Sequence, residues 1–306
     1  MVVRVKDVEK LLEKMAPTRL AESWDAVGLF FGEKEREVRK IQVSLGVSPE
    51  VIEEAIANRA DLIVSHHPIW LKPPLIFTED TAQGKMVAQL IRNRISVLSA
   101  HTNLDSCVGG VNDILASLLN LQEVMPLKEI KEDWLKLVVF VPLTHIEIVK
   151  NVLGDAGAGQ IGNYSHCSFV SQGEGSFLPL QGASPYHGVV GEAENVLEGR
   201  LEVVLASSSL NLVLEKLKKA HPYEEVAYDL YPIANYIPSA IGLGRVGILE
   251  NKIKLGDFVK VVKEKLDLPG LRYCGDLEKE IQKVALCGGA GMSLFQYAKN
   301  VQADIY

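Results

Sequence analysis

Apolar residues recur at helical spacing from the start of the chain. Val5, Val8, Leu11, Leu12 and Met15 stand among charged residues, and Pro17 follows them. The spacing predicts a helix ended by Pro17. Arg39 to Leu45 is strand-like, with β-branched Ile41 and Val43. Ser48-Pro49-Glu50 then predicts a helix start, with Ser48 as N-cap and Pro49 in the first turn, running to about Arg59. Asp61 to Val64 reads as a short buried strand ending in Ser65-His66-His67-Pro68. A helix over Gly84 to Arg94, a strand over Ile95 to Ala100 ending at His101, and a helix over Val111 to Leu119 complete this part. The alternation predicts a βαβ-type layered sheet, in which ligands gather beyond the carboxyl ends of the strands.

The pattern changes from about residue 127 to 248. Trp134 to Pro142 predicts a strand, and Thr144 a helix start running to Gly154. Strands are expected at Tyr164 to Ser171 and Arg200 to Ala206, separated by a stretch rich in glycine. A helix from Ser208 or Ser209 to Ala220 and a strand over Val226 to Tyr231 follow. The order β-α-β-β-α-β is the ferredoxin-like pattern, expected here as a separate inserted domain.

Beyond it the chain repeats its beginning in order, though weakly in residues. Gly256 to Leu266 resembles Lys6 to Lys14. Lys283 to Leu286, a helix containing Ala298-Lys299-Asn300, and Ala303 to Tyr306 parallel the strand, helix and strand of 42–63. The expected fold class is therefore α/β: a split outer domain of two related lobes, 1–126 and 249–306, around an inserted domain at 127–248. The second lobe is expected to be truncated, since Tyr306 stands where the loop equivalent to Ser65-His66-His67 would begin.

Composition narrows the class without naming a function. In 306 residues, 47% are hydrophobic and 23% charged, which fits a globular protein rather than a disordered one. A net charge of −7 argues against non-specific nucleic-acid binding. Cys107, Cys167, Cys274 and Cys287 are far apart and form no C-x-x-C pair, so neither a zinc knuckle nor a disulfide framework is expected. The opening residues lack a signal-peptide core, and no apolar run approaches the length of a membrane span. A cytoplasmic location is expected.

His66-His67 is the strongest chemical signal, because neutral imidazole is a common ligand for borderline divalent metals. The bland alternative is one solvent-facing histidine and one that caps a strand. His101-Thr102-Asn103-Leu104-Asp105 adds a third imidazole and a carboxylate after the next strand. His101 is read as a ligand, a group behind a ligand, or a proton shuttle; Asp105 as a metal ligand or an ordinary turn aspartate.

Weaker candidates are Gly288 to Ser293, as a phosphate loop or a packing turn, and Trp24-Asp25 with Gly28-Leu29, as pocket lining or core. His221-Pro222-Tyr223-Glu224-Glu225 reads as a turn ahead of a strand rather than a second metal site. Cys107 shows no sign of activation.

Four segments carry a resemblance: Ala21 to Leu29, Asp61 to Pro68, Ser99 to Asp105 with Gly110 to Asp113, and Val284 to Ser293. Together they resemble the GTP cyclohydrolase 1 type 2 homologue family, also called NGG-interacting-factor-three-like. His221 to Asp229 and Gly242 to Arg245 resemble its long members, whose inserted domain is similar to CutA and PII proteins.

The resemblance implies a dinuclear divalent-metal centre with His66, His67 and Asp105 as ligands, and His101 beside it as a candidate catalytic acid or base. The family's remaining ligands, a His and a Glu, would fall after Tyr306. Ala26 and Gly46 stand where the family usually has Asn and Asp. The resemblance also implies a toroidal homo-hexamer. The family name implies metal-dependent hydrolysis of GTP or a related heterocycle. The alternative is a non-catalytic ring that binds metal, a small ligand or a protein partner.

Overall fold

The computed structural model describes residues 2–72, 76–234 and 239–306. Two compact units emerge: Met1–Ile130 with Ser239–Tyr306, and Lys131–Pro238. Residues 235–238, within the expected middle domain, lie outside the described residues.

The outer unit opens with α1 (Val5–Met15), β1 (Gly28–Phe31), β2 (Ile41–Ser44), α2 (Pro49–Ala57), β3 (Leu62–Ser65), α3 (Ala82–Arg92), β4 (Ser96–Ser99), α4 (Thr102–Ser106), α5 (Val111–Leu118) and β5 (Gln122–Glu129). The Ser48 side chain accepts from Val51 N–H at the start of α2, and Thr81 caps α3 in the same way. Strands β2, β3 and β4 are parallel, and β1 closes the order β1-β4-β3-β2 by pairing antiparallel to β4. Alternation divides the strands' side chains between two cores. Ile63 and Val97 pack with Ile52, Ala55 and Leu90 of α2 and α3, while Leu62 and Leu98 pack with Val5 of α1.

The middle unit runs β6 (Trp134–Pro142), α6 (Ile146–Asp155), β7 (Ser168–Phe177), β8 (Glu194–Ala206), α7 (Leu210–Ala220) and β9 (Tyr228–Ile233). Its sheet has the order β7-β8-β6-β9, antiparallel throughout. Leu137, Val139, Leu201 and Leu205 bury one face against Val149, Leu153, Val213 and Leu217 of the two helices. Strand β7 lies later than the 164–171 expected for it and takes in Gly173 and Gly175, because these glycines pair with Glu198 and Val196 of β8.

The remainder of the outer unit is β10 (Gly242–Lys254), α8 (Leu255–Lys265), β11 (Glu280–Leu286) and α9 (Phe295–Asn300). It forms a second sheet, β11-β10-β5, antiparallel at both junctions. The pairing Gly242↔Glu129 through Ile248↔Gln122 brings 127–130 and 239–248 into the outer unit, so the middle unit is narrower than 127–248. Ala303 to Tyr306, expected as a strand, forms a single parallel bridge, Val284↔Ile305. That bridge has the same sense as the β2–β3 pairing.

Candidate metal centre

The register of β3 and β4 builds the site. Ser65 lies opposite Ser99 at their carboxyl ends, and the two hydroxyl oxygens are 2.8 Å apart. The residues that follow, His66-His67 and Ala100-His101, therefore leave the sheet side by side. Ser65 Oγ also donates to the His67 carbonyl at 2.9 Å, which steadies the turn before Pro68.

Three imidazoles converge there. Ring centroids lie 4.9 Å apart for His66 and His67, 5.2 Å for His66 and His101, and 5.6 Å for His67 and His101. One nitrogen from each falls in a group whose members all lie within 4.8 Å of one another. Among the described residues this is the one group of three or more His, Cys, Asp or Glu so arranged. Asp105 comes from α4, with Oδ1 at 3.7 Å from His66 Nε2. That Oδ1 is buried without a hydrogen-bond partner.

The surroundings select tautomers. His66 Nδ1 lies 3.0 Å from the Ala100 carbonyl and His101 Nδ1 lies 2.9 Å from Asp25 Oδ1. A carbonyl or carboxylate oxygen only accepts, so both Nδ1 atoms carry the proton and both Nε2 atoms keep a lone pair. His67 has no such partner among the described residues. Burial lowers its pKa below the ordinary imidazole value, and the neighbouring His66 and His101 lower it further, against Asp105. Its neutral, ligating form is favoured. Burial pushes the Asp105 carboxyl above its ordinary range, with His66 and His101 opposing.

This donor set fits a divalent metal ion. Three imidazoles and an orphaned buried carboxylate oxygen, each wanting a proton or a cation, suit zinc, iron and similar metals. The group His66, His67 and His101 can hold a metal ion; Asp105 stands beside it.

Other candidates take structural places. Gly288 N–H donates to Asn112 Oδ1 at 2.8 Å, and Asn112 Nδ2 donates to the Asp105 carbonyl at 2.9 Å, so the glycine-rich loop helps to hold α4. His221 spends both nitrogens locally: Nε2 donates to the Phe140 carbonyl at 2.9 Å, and Nδ1 accepts from Tyr223 N–H at 3.1 Å. It is thus a turn residue, not a ligand. The Cys107 thiol is buried, and burial raises its pKa, which disfavours the reactive thiolate. Trp24 is exposed, with its ring 6.1 Å from that of His101.

From the sequence, Asp25 is a candidate for pocket lining or core and carries no assigned role. Its partner lies 76 positions along the chain, and no local spacing signals that contact.

A family model for Duf34/NIF3 (NGG1p interacting factor 3) matches residues 3–306. The chain belongs to the Duf34/NIF3 family. Its relatives include a Bacillus subtilis protein named GTP cyclohydrolase 1 type 2 homolog, 43% identical over 99% of this chain and 82% of the relative. A Mycobacterium tuberculosis protein of the same name is 39% identical over 100% and 81%. Among solved structures, a Bacillus cereus protein related to NIF3 superposes with a TM-score of 0.92 at 42% identity, covering 100% of this chain and 82% of that one. Staphylococcus aureus SA1388 superposes with a TM-score of 0.72 at 28% identity, covering 99% and 80%. The Duf34/NIF3 match spans both units, including the middle one. Among the described residues of this Duf34/NIF3 chain, no helix is long and apolar enough to cross a membrane.

Proposed function

We propose that the protein is a metal-dependent hydrolase acting on a nucleotide or a related heterocycle. The observation that carries this reading is the convergence of His66, His67 and His101 beside the orphaned Asp105 oxygen. The name shared by its relatives supplies the substrate class.

His66, His67 and Asp105 would hold the metal, with room in the reading for a second ion. When bound, such an ion supplies Lewis acidity toward an electrophilic carbon and a nearby water. His101 Nε2, with its lone pair facing the cluster, either joins the ligands or moves a proton at the substrate. The Ala100 carbonyl orients the His66 imidazole, and Ser65 holds the turn that carries His67. Exposed Trp24 offers a flat apolar face to a heterocycle entering beside His101.

The same reading takes the middle unit as ferredoxin-like and related to CutA and PII proteins, supported by the order β7-β8-β6-β9 and one helix in each half. It takes the protein as a homo-hexameric ring in the cytoplasm. Ile41 and Val43 of edge strand β2, with Leu45 just after it, form an exposed apolar row, which supports self-association. That row also favours the second reading, a ring whose bound metal serves a scaffold rather than a reaction.

GTP turnover by protein loaded with Zn2+, Mn2+ or Fe2+ separates the two. The hydrolase reading expects a ring-opened product, lost in His67→Ala and Asp105→Ala. Metal binding with no turnover by any of the three, in a particle of hexamer mass, leaves the scaffold.

A further inference from the structure

We propose that Asp25 is the positioning residue of the centre, holding His101 as the Nδ1–H tautomer so that its Nε2 lone pair faces His66 and His67. The proposal rests on the metal-site reading above for its purpose, but not for its test.

The Asp25 side chain is completely covered. It accepts three hydrogen bonds, divided between its two oxygens. Oδ1 takes His101 Nδ1–H at 2.9 Å. Oδ2 takes Thr102 N–H at 3.1 Å and Thr102 Oγ1–H at 2.5 Å. The turn that carries Asp25 is fixed from below: Asp25 N–H donates to the Glu22 carbonyl at 2.9 Å, and Glu22 N–H donates to Thr102 Oγ1 at 2.9 Å.

The Oδ2 contacts serve the start of α4, and a neutral amide oxygen could make them. The Oδ1 contact requires an acceptor on the other side as well. Only a carboxylate offers acceptors on both sides at once. Burying a carboxylate is costly, and a purely architectural role does not call for one. Its charge is explained by the imidazole: it orients the ring and raises the basicity of the opposite nitrogen, as carboxylates behind metal-bound histidines do.

The isosteric substitution Asp25→Asn separates the two roles. The asparagine oxygen stays with the two Thr102 donors, and its NH2 then faces His101 Nδ1. The imidazole answers by accepting there and moving its proton to Nε2, which removes the lone pair from the cluster.

The test is long-range 1H–15N correlation of the histidine rings in metal-free full chain, with Zn2+ titration beside it. In the unsubstituted protein His101 should be protonated at Nδ1; in Asp25→Asn it should be protonated at Nε2, with Zn2+ affinity lowered about tenfold to a hundredfold. Protonation of His101 at Nε2 in the unsubstituted protein overturns the proposal, whether or not the variant folds. So does an unchanged tautomer in folded Asp25→Asn. Failure of the unsubstituted protein to bind Zn2+ contradicts the metal-site reading instead, and leaves the tautomer result to decide the role of Asp25.

Discussion

Arg245 of β10 is buried to 1% exposure and makes a two-pronged ion pair with Asp113 of α5, its Nη2 standing 3.1 Å from Oδ2 and its Nε bonding Oδ1. The same guanidinium donates to the carbonyls of Gly242, Gly244 and Cys107. Two motifs 132 positions apart are thus one structural unit, joining β10 to the helix that follows Asp105. Removing one partner leaves the other charge uncompensated in the interior. Asp113→Ala should therefore destabilise the outer unit by about 3–5 kcal/mol, read from chemical unfolding. A loss below about 1 kcal/mol would mean that the carbonyls alone satisfy Arg245.

Asp105 sets stability against ligand binding. Because burial raises its folded pKa, its favourable contribution is present below the ordinary carboxyl value near 3.8 and is lost as pH rises through the raised value. At neutral pH the ionised group opposes folding of the metal-free protein. Asp105→Asn should melt above the unsubstituted protein at pH 7 without metal, with the difference closing below pH 4. The stabilisation gained on adding Zn2+ should shrink in the variant. A metal-free variant that melts lower at pH 7 contradicts this account.

Gly46 marks a place for a side chain. A Cβ there would lie 3.7 Å from His67 Cβ and 3.8 Å from His67 Nδ1, which is ordinary contact. His67 alone of the three imidazoles lacks an oriented partner among the described residues. Gly46→Asp should supply one, raising Zn2+ affinity severalfold in calorimetric titration. A drop in affinity would show that His67 binds through the nitrogen facing Gly46.

In the middle unit, Tyr223 donates to the buried carboxylate of Glu198 at 2.9 Å. Burial, aided by Glu198, raises the phenol well above its ordinary value near 10. The folded state therefore holds the proton more tightly, and stability is present below pH 10 and lost as pH rises beyond it. Tyr223→Phe should cost about 1–3 kcal/mol at neutral pH and remove that part of the alkaline loss. Unfolding curves at pH 7 and 10.5 test both parts.

Much of the site was legible because strand ends can be read locally. The runs before His66 and His101 are short, apolar and β-branched, and parallel in-register pairing then brings their ends together. The sequence pattern does not show β5 or β10; in β10, Gly242 and Gly244, the latter at φ +67, interrupt any period-two pattern, and the pairing with β11 shifts register between Ile248 and Ile253. β5 and β10 find each other across more than a hundred positions, as do Asp113 and Arg245. The short helix α4 escaped notice because five residues carry too little periodicity, yet it presents Asp105 to His66.

His66, His67, His101 and Asp105 are together expected to form a divalent-metal centre. Equilibrium dialysis of the full chain against Zn2+ at pH 7.5, beside His67→Ala and Asp105→Ala with unchanged circular dichroism, tests it most directly. Saturable binding of at least one ion per chain is expected, weakened at least tenfold in each variant. No saturable binding, or equal binding by all three proteins, contradicts it.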